Sequence, residues 1–383
     1  MSENEGRRVL QMIPYCLTRL LYPIDEVCLS LLTALVDKRT LDECYYWAAE
    51  IHESGFDLMA FLWSLYLDFY AELNPRLEAF IRRKWAGKAG LAAGCAVIRN
   101  LHRARPTVTV FALRQAVCSD RIGIGAGTGR IYAGFPVTHS PWLDAVEKGD
   151  GQEAAARLYS LASSWCTDSL FRVLVSFHES ALGARVKTRL MEKYWEGRPG
   201  HDDLHHLLAI MVHMWRPECD LDMRKVFVCP GTEVLAYQAP PTPFGRPDRL
   251  LGCSRRYPID QGIGMFDLAR DSIPSPLDAL RHHWEYYAYR CPLWRDRIDT
   301  LGGTPDHQTR TISFRSNEGL EAFYGLYGLE PDEQPMDLQE MSTDPLPRMD
   351  AALWLERNGV ALPLKENRGQ WRFRTEIDAT VKA

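Results

Sequence analysis

Paired cysteines are missing from this chain. Its ten cysteines (Cys16, Cys28, Cys44, Cys95, Cys118, Cys166, Cys219, Cys229, Cys253 and Cys291) stand singly, without a C-x-x-C spacing. A zinc ribbon and a dense disulfide framework are therefore not expected, and the chain reads as one of a reducing compartment. Long apolar runs are missing too. The strongest, Leu91 to Ile98, falls far short of the ~18–20 residues of a membrane span, so no membrane partner is predicted. The N-terminus, MSENEGRR, lacks the apolar stretch of a secretory signal. There is no G-x-S-x-G, no H-E-x-x-H, no set of kinase motifs and no repeat of fixed period. A large excess of one charge is also absent. The 45 Lys and Arg against 50 Asp and Glu leave a net charge of −5, too little for a global field that draws in nucleic acid or anionic membrane.

What is present is an ordinary globular composition with one excess. Of 383 residues, 46% are hydrophobic and 25% charged, which excludes a wholly disordered chain. The length gives two or three domains as a soft prior. The excess is tryptophan, 11 in number, pointing to wide aromatic cores or flat contact surfaces. Charge is balanced overall but segregated along the chain. Between Arg76 and Arg105 eight cations face the single acid Glu78, and between Glu318 and Asp350 nine acids face Arg348 alone.

Helical punctuation dominates the first hundred residues. Leu58, Phe61, Leu62, Leu65, Tyr66 and Phe69 recur at the spacing of one helical face. Thr40 with Glu43 forms a capping box, and Asp57 and Asn74-Pro75 offer further helix starts. Helices are predicted over 24–36, 40–54, 57–72 and 75–86, packed as antiparallel neighbours. Alternating β-branched residues make Thr107–Phe111 a predicted strand, with Ile131–Ala133 as its return beyond a glycine-rich turn at Gly123–Gly129, and Val226–Cys229 as another short strand. Helices resume from about Trp142 to Trp215. A proline-rich connection, 239–260, precedes a helix opened by Ser275-Pro276. That helix carries Leu277, Leu280, Trp284, Tyr287 and Cys291 on one face, and a short helix from Pro292 to Gly302-Gly303 follows it. The expected fold is mainly α with short β hairpins (α+β), a helical N-terminal region before a mixed helical core. The expected regions are 1–105, 106–238 and 239–383, the last with an acidic, proline-containing segment.

Three stretches carry a resemblance. They are Ser54-Gly-Phe56 leading into Leu62-Trp-Ser-Leu-Tyr-Leu-Asp-Phe-Tyr70 and Asn74-Pro75; His283-Trp-Glu-Tyr-Tyr-Ala288 leading into Pro292-Leu-Trp294 and Arg297; and Tyr327-Gly-Leu-Glu-Pro-Asp-Glu-Gln334. In this order and spacing the chain resembles a group of proteins encoded by large nucleocytoplasmic DNA viruses, the giant viruses. The resemblance implies a setting, the cytoplasm or nucleus of an infected cell or the virion, and no chemistry.

Candidate sites are few. His201 and His205, four residues apart, suit a metal geometrically, with Asp202 or Cys219 nearby. Without a supporting motif the expectation is no metal and no cofactor, and the apolar stripe Leu204, Leu207, Leu208, Met211 and Trp215 leaves His206 and His213 on a solvated side. The run Gly123–Arg130 lacks the lysine and serine of a phosphate loop. Cys291 continues an apolar stripe, so it reads as a buried thiol rather than the partner of His283. No catalytic residue is assigned. The basic segment supplies the nucleic-acid candidates Arg82, Arg83, Lys84, Trp85, Lys88, Arg99, Arg103 and Arg105, cations for phosphates and a ring for a base. Three functional classes follow. A non-enzymatic protein that binds other proteins leads, a nucleic-acid-binding factor in viral gene expression or packaging comes next, and an enzyme with a dispersed site is third.

Overall fold

The structure, a computed structural model, describes residues 12–13, 15–87, 90–118, 130–181, 191–192, 195, 203–215, 227–238, 259–260, 269–270, 276–327 and 349–358. The chain is mainly helical, and it divides into two compact units that alternate along the sequence. The first comprises Met1–Leu62, Lys88–His102 and Val228–Ala351; the second comprises Trp63–Gly87, Arg103–Phe227 and Ala352–Ala383.

The predicted N-terminal helices form where their caps and stripes put them. They are α1 (Ile24–Val36), α2 (Leu41–Glu53), α3 (Leu58–Phe69) and α4 (Leu77–Ala86). Thr40 Oγ1 accepts the Glu43 amide at 3.2 Å and Asp57 Oδ1 accepts the Ala60 amide at 2.9 Å, each satisfying an amide that lacks a partner within its helix. Asn74 departs from the expectation. Its side-chain amide donates to the Tyr70 and Arg105 carbonyls instead, and α4 begins at Leu77.

In the first unit α1 packs on α2, and every residue of α1 is buried. Helix α5 (Leu91–Arg103) approaches the start of α3 at Gly94. A Cβ there would stand 2.4 Å from Leu58 Cδ2, so the close approach requires glycine. Further along come α11 (Pro276–Ala288), α12 (Pro292–Thr300) and α13 (Asn317–Tyr327), with the antiparallel hairpin β4 (Gly303–Asp306) and β5 (Thr311–Phe314) between the last two. Two-residue parallel pairs join β1 (Met12–Ile13) to β3 (Ala269–Arg270) and β2 (Ile259–Asp260) to β6 (Met349–Asp350). Trp284, Tyr287, Cys291, Trp294, Ile298 and Phe323 form one aromatic core with Tyr15, Leu17 and Leu21. Trp284 stacks on Phe323 at 5.9 Å and meets Trp294 edge-on at 5.1 Å. The stripe at Trp284, Tyr287 and Cys291 therefore faces the core, as its spacing predicts, although the helix is kinked at His283.

Three strand expectations are corrected. Thr107–Phe111 is not a strand: Thr109–Cys118 is helix α6. A longer window shows why, because Val110 to Arg114 and Ala116 are all buried, so no alternation of inward and outward side chains runs through the segment, and the five residues 107–111 are too few to decide its period. Residues 131–133 form no strand either, and neither do 227–229, where the chain is irregular. The only residues of these expectations beyond reach are the glycine run 123–129 and Val226, which lie outside the described residues, as do most of 239–260 and of 330–350. The helices predicted between Trp142 and Trp215 are α7 (Ser140–Lys148), α8 (Gly151–Ala162), α9 (Thr167–Ala181) and α10 (Asp203–Trp215). Helix α14 (Ala351–Arg357) inserts Trp354 edge-on against Phe69 and Phe111 at 6.1 and 6.0 Å.

Candidate functional site

The histidines of α10 occupy the interior of the second unit. Residues from His205 to Met214 are buried on every side, so the solvated face expected for His206 and His213 does not exist. The stripe argument assumes that one side of a helix meets water, and this helix is enclosed all round. Each histidine meets different neighbours. His205 Nε2 lies 2.8 Å from Asp68 Oδ1, and Arg114 grips the same carboxylate through Nε at 3.0 Å and Nη2 at 2.7 Å. Burial alone would raise the Asp68 carboxyl, but the Arg114 guanidinium and His205 outweigh it and hold that carboxyl well below the usual range. His213 Nδ1 lies 2.7 Å from the Glu72 carbonyl, and His206 packs against the Trp63 and Trp195 rings at 5.5 Å each. Among the described residues no group of three or more His, Cys, Asp or Glu is arranged to hold a metal; His201 lies outside them.

A cleft of about 10 Å³ sits beside His206 and His213, lined also by Tyr66, Glu78 and Met191. That volume holds about one water molecule. Burial pushes the Glu78 carboxyl up to about 7, against the hydrogen bonds and charge of Arg82. The cleft brings a protonatable acid and two imidazoles together, but it is far smaller than the several hundred Å³ of a substrate pocket.

The basic segment divides between the units. Arg82, Arg83, Lys84, Trp85, Arg103 and Arg105 belong to the second unit and Arg99 to the first; Lys88 lies outside the described residues. Arg82 is spent on buried Glu78, to which it donates from both Nε and Nη2. Lys84 lies over the Phe80 ring at 5.6 Å, and Trp85 is half-buried near Trp63. Arg83, Arg103 and Arg105 are exposed.

The clearest unabsorbed surface is one that sequence reasoning treats as a return strand. Ile131 is 65% exposed and Val137 63%. The segment carrying them is held along α7 and α9. The Tyr132 and Phe135 rings meet Phe177 edge-on at 5.2 and 5.9 Å, and the Tyr132 amide donates to Ser140 Oγ at 3.4 Å. At its end, buried His139 packs at 4.5 Å on Trp165, a tryptophan 38% exposed. Exposed Ile131, Val137 and Trp165 thus flank one segment laid on α7 and α9, with the exposed Arg130–Glu147 ion pair next to Ile131. Isolated exposed apolar residues are ordinary, whereas several joined by packing mark contact surfaces. The tryptophan excess itself goes mostly inward: Trp47, Trp63, Trp142, Trp294 and Trp354 are fully buried.

Next to Trp165, exposed Cys166 lies at the start of α9. Its thiol is lowered by hydrogen bonding to the Ser169 hydroxyl, 3.0 Å away, and to the Ser169 amide. Cys28 and Cys44, by contrast, are buried as their helical stripes predict. Cys291 is buried at the base of α12, and burial pushes its thiol up. No helix among the described residues is long and apolar enough to cross a membrane. The chain matches no protein-family model, no curated protein and no solved structure.

Proposed function

We propose that this chain is a non-enzymatic protein that works by binding other proteins, as a scaffold or adaptor in a virus-infected cell. The observation that carries this reading is the exposure of Ile131, Val137 and Trp165 about one segment laid on helices α7 and α9. Burying such side chains against a partner is worth about 1.5–3 kcal/mol each. Aromatic and apolar anchors surrounded by polar groups are the usual centre of a protein interface. The absence of catalytic motifs from the sequence and the small size of the His206–His213 cleft support the same reading. The resemblance of the three sequence stretches to giant-virus proteins supports the infected-cell setting.

The test compares a tagged parent with Ile131→Asp/Val137→Asp, each recovered from infected cells and analysed by quantitative mass spectrometry. Both positions are exposed, so the variant should fold with stability within about 0.5 kcal/mol of the parent. The parent should retain at least one protein near stoichiometry that the variant loses. Identical sets of co-purifying proteins would refute the assignment of this surface.

A further inference from the structure

We propose a second binding surface, on the second unit, that takes the phosphodiester backbone of a nucleic acid. It goes beyond the protein-binding reading and uses a different face. The surface is a strip of cations formed by Arg76, Arg83, Arg103 and Arg105, with Lys84 beside it.

The fold, rather than the sequence order, assembles this strip. Asn74 donates its side-chain amide to the Arg105 carbonyl at 3.1 Å, and the Thr107 amide donates to the Phe69 carbonyl at 2.7 Å. These two bonds lay residues 105–107 along the corner that leads into α4. The Arg105 backbone is thereby tied to Asn74, two residues before half-buried Arg76, the residue that immediately precedes that helix. Arg83 follows Arg76 by seven residues, two helical turns and roughly 10 Å along the same face of α4. Ala104 is buried, with Arg103 and Arg105 exposed on either side of it.

Three features make a polyanion the fitting ligand. First, Glu78, the one acid between 76 and 105, is buried and held by Arg82, so the segment's own carboxylate does not compete for the strip. Among the described residues, no carboxylate pairs with Arg83, Arg103 or Arg105. Second, four of the five cations are arginines, whose planar forks match phosphate oxygens in pairs. Third, the one exposed position of α4 besides Arg83 carries a small side chain, Ala86. A membrane-surface helix needs large apolar residues to enter the acyl region, so the strip suits a nucleic-acid backbone better than a lipid surface. No exposed ring or base-reading side chain stands on it, and Trp85 is half-buried. Recognition is accordingly of the backbone and independent of base sequence. This narrows the sequence-based set: Arg82 is removed as the partner of Glu78, Arg99 belongs to the other unit, and Arg76 is gained.

Fluorescence anisotropy with labelled 20-nucleotide DNA, single-stranded and duplex, tests the proposal on the full chain. The parent should bind both at 50 mM salt and weaken steeply by 200 mM. Arg83→Ala/Arg103→Ala/Arg105→Ala should weaken binding at least tenfold at 50 mM. It should also flatten the slope of log affinity against log salt by about 2–3 for duplex, because roughly 0.9 counterions are released per phosphate neutralised. A matched control, Arg290→Ala/Arg295→Ala/Arg315→Ala, removes three exposed arginines of the first unit and should bind like the parent. The proposal is overturned by a parent that does not bind at 50 mM salt. It is equally overturned by a triple variant that binds like the parent, by a control weakened as much as the triple variant, or by capture on anionic vesicles in place of DNA. Should the triple variant melt early, the single variants Arg103→Ala and Arg105→Ala carry the same test with a proportionally smaller loss.

Discussion

Glu285 makes the stability of the first unit depend on pH in a direction opposite to that of most carboxylates. The side chain is 5% exposed, between Trp284 and Tyr286 on α11. Its Oε2 has no hydrogen-bond partner. Burial pushes the carboxyl up to about 7, against the lowering effect of its own backbone amide and the Tyr324 hydroxyl. The ordinary value is about 4.3, and each tenfold change in a protonation equilibrium is worth about 1.36 kcal/mol, so burying the charged form costs roughly 4 kcal/mol. Between pH 4.3 and 7 the folded state binds more protons than the unfolded state, so stability falls as pH rises through that window and levels off above it. Glu285→Gln removes the titration while keeping a carbonyl for the Tyr324 hydroxyl. Chemical denaturation of parent and variant, each at pH 4.5 and pH 8, isolates this group from every other acid. The variant should gain about 2–3 kcal/mol on the parent between the two pH values. Parallel pH dependences in parent and variant would refute the reasoning, because the carboxylate would then be hydrated in the folded state.

Three further outcomes follow from the same packing arguments. Trp284→Ala removes a ring stacked on Phe323 and set edge-on to Trp294 and should cost about 3–5 kcal/mol, seen as a clear drop in melting temperature; an unchanged melting curve would turn this helix from core into surface. Asp68→Ala leaves the Arg114 guanidinium buried without its carboxylate and should cost about 3–5 kcal/mol by denaturant titration, whereas Asp68→Ala/Arg114→Met should recover much of that loss. Cys166 should be alkylated by iodoacetamide near neutral pH well ahead of buried Cys16, Cys28, Cys44, Cys95 and Cys291, since its thiol is exposed and lowered; peptide mapping of a short pulse reads this directly.

The helical N-terminal region was legible because its signals are local. Thr40 and Asp57 cap within three residues of themselves, and the α3 stripe repeats over a dozen residues. The errors arise where distant packing decides. Residues 107–111 have the composition of a strand, but the helix they enter is fixed by Arg114 reaching Asp68, 46 residues away. The solvated side assigned to His206 and His213 was a local inference too, overturned by Trp63, Trp195 and the Glu72 carbonyl closing over α10. Of the sites, the density of cations between 76 and 105 was visible in the sequence. Which cations remain available was not, since that depends on Glu78 capturing Arg82 and Asn74 capturing the Arg105 carbonyl. The exposed apolar surface left no trace in sequence, because Ile131 and Val137 read as strand or core residues until their exposure is known.

Each unit draws on three separate stretches of chain, and this shapes how the protein is made. In the first unit the Trp294 indole donates to the Arg19 carbonyl across 275 residues. In the second, Trp354 completes a core begun by Phe69 and Phe111. On the ribosome, at about 5–20 residues per second, helices α1 to α4 emerge early and wait for partners that are still untranslated. Contacts so far apart in sequence slow folding, since loop closure must precede the contacts that reward it. The apolar surfaces of Leu17 and Phe69, which Trp294 and Trp354 later join, therefore stay exposed in the nascent chain for tens of seconds, a natural substrate for chaperones. For the same reason, a cut at any position between 63 and 351 divides both units at once.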